Sequence, residues 1–281
     1  MFHFYTWGDQ EYVRCRHCGF VRLLTSREDI TRIHRKSIDP PSVLFERSSH
    51  RTPVFHALAE EIASLIPDGK VLDIGCSTGD FLRMMKRYGC NCYGVELNKP
   101  LAEYARESFG ANIRIAPVEK ANFPEDFFDL VTLWEVIEHT ANPGVVLKEC
   151  FRILKKGGLL CMIVPNFTFS FPKERLILSI LRTFSRERAK KHRFLQGETH
   201  PNWFTTSSLV KVVERTGFKI FDSGPTDYSY PSGILINLGL QNLWLNKFLG
   251  WFRLFYNSIA RMFYRISKIN IGTNITLYAF K

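Results

Sequence analysis

The chain has 281 residues, 45% of them apolar, and a formal net charge of +11 at pH 7. That length suits one catalytic domain of about 180–220 residues with additions, around a real core. No run of about 18 apolar residues occurs, which excludes a membrane-spanning helix of the usual kind, no basic-then-apolar leader opens the chain, and seven scattered cysteines argue for a reducing, cytoplasmic setting over a disulfide framework.

The first element, Tyr12-Val13-Arg14-Cys15-Arg16-His17-Cys18-Gly19-Phe20-Val21, carries the C-x-x-C-G knuckle of zinc ribbons. Thiolates at that spacing can grip one metal, and the glycine permits the tight turn. A structural zinc site needs four ligands; no second C-x-x-C follows, although His3, His17 and His34 lie nearby. Residues 1–24 therefore read as a half zinc-ribbon-like segment. Cys15 and Cys18 are the candidate metal ligands, with a metal-free remnant the expected state. A redox pair is the weaker reading, because no thioredoxin-like strand-to-helix context surrounds them. Residues 25–55 are polar and broken by Asp39-Pro40-Pro41, so they are expected to be linker and lid, with His50 and His56 solvated.

Val71-Leu72-Asp73-Ile74-Gly75-Cys76-Ser77-Thr78-Gly79-Asp80-Phe81-Leu82 comes next. An apolar run ends in an acid, two glycines stand four apart, and a helical pattern begins. This predicts a buried strand, a glycine turn and a helix N-terminus with unpaired N–H groups. Ligands of open α/β sheets bind at such carboxyl ends of strands. A dinucleotide site would want G-x-G-x-x-G, and a carboxylate at Asp73 would repel pyrophosphate while favouring an ammonium. A cationic ligand with an amino group, such as S-adenosylmethionine, suits the turn better. A purely structural glycine turn is the alternative.

A second strand, Asn91-Cys92-Tyr93-Gly94-Val95-Glu96-Leu97, also ends in an acid. Glu96 lies about twenty residues past the first glycine, the distance at which an acid meets ribose hydroxyls. Ile113-Arg114-Ile115-Ala116-Pro117-Val118-Glu119 reads as a third strand. The run from Asn122 to His139 holds a fourth, with Trp134-Glu135-Val136-Ile137-Glu138-His139 at its carboxyl end. Leu154 to Asn166 is a helix end, a glycine turn and a fifth strand.

In this order the residues resemble class I S-adenosylmethionine-dependent methyltransferases. The nearest likeness is to the group of ubiquinone-biosynthesis O-methyltransferases and many sugar and natural-product methyltransferases. The matched features are Asp73 to Gly79, Gly94-Val95-Glu96, Val118-Glu119, Phe123-Pro124 with Phe128-Asp129, Trp134 to His139, and Lys156-Gly157-Gly158. They cover residues 50–165 well and 200–224 more loosely. The resemblance implies a Rossmann-like, mostly parallel seven-stranded sheet in the order 3-2-1-4-5-7-6, its last strand at Asn274 to Phe280. It also implies a cofactor held by Asp73 and Gly75 at the methionine end and by Glu96 at the ribose, with Cys76, Ser77, Gly79 and Leu97 also binding it. Val118 and Glu119 would flank the adenine, and Trp134 and Glu135 would close the pocket. Trp134 could equally be core packing, and Glu119 a helix-start acid. Ser77 departs from the family pattern, which has glycine there.

The methyltransferase domain is expected over 56–224 and 272–281, with an apolar, basic helical insertion at 225–271. Residues 173–193 form an apolar patch followed by a basic cluster, and no acid occurs after Asp227. Large apolar residues including Trp244, Trp251 and Phe255, interleaved with basic ones, suit peripheral contact with an anionic membrane at its inner face. A helix packed on the domain is the plainer alternative. Nucleic acid is the disfavoured partner, because no binding motif appears and the basic patches lack stacking platforms. Glu138, His139 and His200 are candidate bases at the acceptor side. The expected activity is O-methylation of a small or lipid-linked acceptor, a sugar or a phenol. The alternative is a non-catalytic, membrane-associated protein that keeps the cofactor fold.

Overall fold

The structure is a computed structural model; it describes residues 2–7, 10–24, 52–169, 200–226, 259–260, 262–267, 270 and 272–281. The chain divides into two compact units. One comprises Met1–Leu24, Val164–Leu209 and Ser223–Thr276, the other Thr25–Ile163, Val210–Asp222 and Leu277–Lys281.

The first unit contains the strands β1 (Phe2–Trp7), β2 (Gln10–Cys15) and β3 (Val21–Leu23). They pair antiparallel, and β3 continues onto the short β9 (Asn202–Trp203), with Val21 opposite Trp203. Tyr12, Val21, Leu23, Phe167 and Trp203 bury one small core there. The Cys15–Cys18 knuckle closes the β2–β3 turn: the Cys15 N–H donates to Phe20 O and the Gly19 N–H to Cys15 O, at 2.8 and 2.9 Å. Among the described residues no third histidine, cysteine or acid joins Cys15 and Cys18 to complete a metal site. Buried Asn166 ties this unit together, its Nδ2 donating to Asn270 O and Gly272 O at 3.2 and 2.8 Å.

The described part of the second unit begins with α1 (Thr52–Leu65) and alternates strand and helix from there. Strand β4 (Lys70–Ile74) leads through the glycine turn to α2 (Asp80–Arg87), and β5 (Asn91–Val95) leads to α3 (Lys99–Phe109). Helix α2 has Asp80 in its first turn and Lys86 and Arg87 in its last, which complements the helix dipole. It turns Phe81, Leu82, Met84 and Met85 into the core. In α3 the Asn98 side chain caps the start, accepting from the Leu101 N–H at 3.3 Å. The remaining elements are β6 (Asn112–Arg114), β7 (Phe128–Trp134), α4 (Pro143–Ile153), β8 (Leu154–Pro165), α5 (Thr206–Glu214), β10 (Lys219–Thr226) and β11 (Asn274–Phe280).

Seven strands form one sheet in the order β10-β11-β8-β7-β4-β5-β6, which is the 3-2-1-4-5-7-6 order the family resemblance implies. The pairs β6–β5, β5–β4, β4–β7 and β7–β8 are all parallel. The central strands are covered on both faces, which explains why β4 and β7 read as near-continuous apolar runs.

The third strand is shorter than its sequence suggests. Strand β6 stops at Arg114, and Val118–Lys120 is a single 3-10 turn. Pro117 lacks the N–H that would extend the ladder. The 173–193 basic cluster, Trp244, Trp251, Phe255 and most of the linker and lid lie outside the described residues. Among the described residues no helix is long and apolar enough to cross a membrane.

Candidate active site

The parallel register sets Gly94 of β5 and Thr132 of β7 on either side of Asp73, the fourth residue of β4. The chain then turns through Gly75, at φ +70°. A Cβ there would stand 2.6 Å from a Val136 methyl carbon, so both conformation and space demand glycine. The turn lies over the end of β5: the Gly75 and Cys76 N–H groups donate to Val95 O at 2.8 and 3.2 Å. Gly94 permits this approach, since a Cβ on it would meet the Cys76 sulfur at 2.6 Å.

Two acids end up beside this turn. Asp73 is only 3% exposed, and Thr132 Oγ1 donates to its Oδ1 at 2.7 Å. Burial pushes the Asp73 carboxyl up to about 7, and the nearby charge of Glu96 adds to the rise while the Thr132 bond opposes it. Glu96 follows β5 and holds the turn in place. Its Oε2 accepts from the Ser77 N–H at 2.9 Å and its Oε1 from the Asn98 N–H at 2.8 Å. Each carboxylate oxygen has a second lone pair, so Glu96 keeps acceptor capacity for a ligand hydroxyl. Cys76 is a buried, neutral thiol, its ionisation opposed by burial and by both acids.

The donor set fits S-adenosylmethionine. Two acids at a turn with positive φ match a ligand bearing a sulfonium and an ammonium. Ser77 Oγ and Trp134 Nε1 are buried polar atoms with no hydrogen-bond partner among the described residues, and buried polar atoms ordinarily have one.

The other candidates fall as follows. Trp134, the last residue of β7, packs among Phe81 and Phe55, with ring centroids 5.1 and 6.0 Å away. Its ring therefore packs in the core, one of the two roles expected of it. Glu135 follows at φ +56°, its N–H bound to Ile163 O at 2.8 Å. Leu97 is half-buried beside Glu96; Val118 is buried and Glu119 exposed on the same 3-10 turn. Glu138, 1% exposed, and half-buried His139 share the short helical turn after β7. His200 belongs to the other unit, where its ring packs edge-on against Trp203 at 5.1 Å. At the knuckle, the N–H groups of Cys18 and His17 hold the Cys15 thiol below its ordinary value. Thr132, Asn98 and Val136 were missed from the sequence. Thr132 had a signal, as the one polar residue inside the buried run Leu130 to Trp134.

A family model described as "Methyltransferase domain" matches residues 48–223, more than half of the chain. An uncharacterized protein of Methanocaldococcus jannaschii is 26% identical, over 59% of this chain and 72% of its own. The ubiquinone biosynthesis O-methyltransferase of Colwellia psychrerythraea is also 26% identical, over 59% of this chain and 67% of its own. The enzyme of the same name from Bradyrhizobium diazoefficiens is 28% identical, and this chain covers 60% of its length. Among solved structures, a SAM-dependent methyltransferase of Archaeoglobus fulgidus superposes with a TM-score of 0.55 at 18% identity, over 85% of this chain and 99% of its own. The [4+2]-cyclase SpnF superposes almost as well, at 0.53 and 17% identity over 80% of each chain. These structural likenesses establish the fold; the second shows that the fold also carries other chemistry.

Proposed function

Because the chain belongs to the S-adenosylmethionine-dependent methyltransferases, we propose that it methylates an oxygen of a small or lipid-linked acceptor, a sugar or a phenol. The observation that carries the cofactor side of this reading is the pair of acids, Asp73 and Glu96, at the ends of adjacent parallel strands around one glycine turn. When bound, the cofactor supplies a methyl already activated by its sulfonium. Asp73 holds the ammonium, and Glu96 accepts hydrogen bonds from the ribose hydroxyls. Gly75, Cys76, Ser77 and Gly79 let the loop lie against the methionine end. Leu97, Val118 and Glu119 border the ribose and adenine, and Trp134 and Glu135 close the pocket and keep water out. What remains for the protein is to hold the acceptor oxygen in line and to take its proton. Glu138, His139 and His200 are the candidates for that proton. The likeness to enzymes named O-methyltransferases favours oxygen over nitrogen or carbon.

Labelled S-adenosylmethionine incubated with panels of phenols, sugars, lipid-linked sugars and amines tests this reading. Label should appear as a methyl ether in one of the hydroxyl-bearing panels. Label confined to amines would overturn the choice of oxygen.

A second reading, peripheral contact with an anionic membrane, draws on one further observation. In the helical residues 259–260 and 262–267, Ile259, Met262, Phe263 and Ile266 recur at one-face spacing yet are 41, 59, 40 and 79% exposed. Arg265 is exposed beside them, and no acid follows Asp227. Vesicles containing anionic lipid should sediment the protein at low salt. Binding should weaken but persist as salt rises, because the apolar part is not screened. Met262→Ser with Ile266→Ser should abolish the persistent part. Wild-type protein left in the supernatant at low salt would contradict the contact.

A further inference from the structure

Ser77 is costly for the protein on its own. Its φ of +52° lies in the left-handed region that residues with a Cβ rarely adopt. It is 6% exposed, and its hydroxyl has no hydrogen-bond partner among the described residues. Burying a hydroxyl without a partner is unfavourable. Glycine at this position would avoid the strain and the orphaned hydroxyl alike.

The neighbouring groups narrow what the hydroxyl can serve. The Ser77 N–H is already committed to Glu96 Oε2 at 2.9 Å. The Thr78 hydroxyl donates to Asp80 Oδ2 at 2.8 Å. Cys76 is a buried thiol and a weak donor. Asp73 and Glu96, when ionised, only accept. In the turn from Asp73 to Gly79, Ser77 Oγ is therefore the one strong side-chain donor not already used. S-adenosylmethionine has a single anionic group, its α-carboxylate. Beside two acids that carboxylate needs donors, and a hydroxyl offers it a charge-assisted bond.

Resting on the cofactor reading of this loop, we propose that Ser77 is a positioning residue whose hydroxyl donates to the cofactor's α-carboxylate, and that the strained backbone is kept for that bond. It fixes the amino-acid end of the cofactor and so the direction in which the methyl points.

The test titrates wild type, Ser77→Ala and Ser77→Gly with S-adenosylhomocysteine and with 5′-methylthioadenosine, which lacks the amino-acid end. The two variants should bind S-adenosylhomocysteine about tenfold more weakly, the loss of one charge-assisted hydrogen bond. Both should bind methylthioadenosine as wild type does. Without ligand, Ser77→Gly should melt about 2–4 °C above Ser77→Ala, since only glycine relieves the left-handed strain. Equal affinity of wild type and Ser77→Ala for S-adenosylhomocysteine would overturn the proposal. Parallel losses for both ligands would also overturn it, because the hydroxyl would then serve the nucleoside. Wild type that binds neither ligand would overturn the cofactor reading itself.

Discussion

Asp73→Asn is expected to weaken S-adenosylmethionine binding by roughly 30- to 1000-fold while making the free protein more heat-stable at pH 8. The range corresponds to about 2–4 kcal/mol for removing one member of a buried, hydrogen-bonded charge pair. Asparagine is isosteric and can still accept from Thr132 Oγ1, so the sheet is kept. The pH dependence follows from the Asp73 carboxyl, pushed by burial from its usual 3.8 to about 7 in the folded protein. Between those values the folded state holds a proton that the unfolded chain releases. The stability this group contributes is therefore complete below about pH 4 and is lost as pH rises through about 7. A cationic ligand prefers the ionised carboxylate, so wild-type affinity should climb from pH 6 to pH 8 and then level off. In Asp73→Asn both dependences should flatten. Calorimetric titration and melting at pH 6, 7 and 8 check them; a variant that binds like wild type at pH 8 would remove Asp73 from the site.

Glu96→Ala should cost nearly as much, by a different route. The carboxylate offers hydrogen bonds to two ribose hydroxyls, each on the order of 1.5–3 kcal/mol before water compensates. It also fixes the turn through the Ser77 and Asn98 N–H groups. Affinity should fall at least about tenfold, and the free protein should melt at lower temperature. Glu96→Gln keeps an acceptor oxygen and a side chain of the same shape, so it should recover part of both. Equal affinity of wild type and Glu96→Ala in titration calorimetry would remove Glu96 as a ribose ligand.

Much of the catalytic fold is legible from local pattern. Buried parallel strands show up as apolar runs, and β4, β5 and β7 each end at an acid, a glycine turn or both, so their order follows the chain. The turn from Asp73 to Gly79 is equally visible, because its glycines answer a local steric demand. Contacts set by register are harder to see. Thr132 reaches Asp73 only because β7 pairs with β4 in that frame, 59 residues away in sequence. The β3–β9 pairing joins Val21 to Trp203, and no local signal announces a partner so distant. Residues 113–119 resemble a strand in composition, yet Pro117 ends the ladder early. At the knuckle, the C-x-x-C-G spacing shapes a turn with or without a metal, so the motif alone does not decide between them.

Equilibrium titration of the wild-type chain with S-adenosylmethionine at pH 8 tests the central claim most directly. The account predicts one site per chain, with a dissociation constant on the order of 1 μM to 1 mM, the usual range for an enzyme and its substrate. The same titration at pH 6 should give weaker binding. No heat at about 1 mM ligand with folded protein, or binding unaffected by both Asp73→Asn and Glu96→Ala, would contradict it.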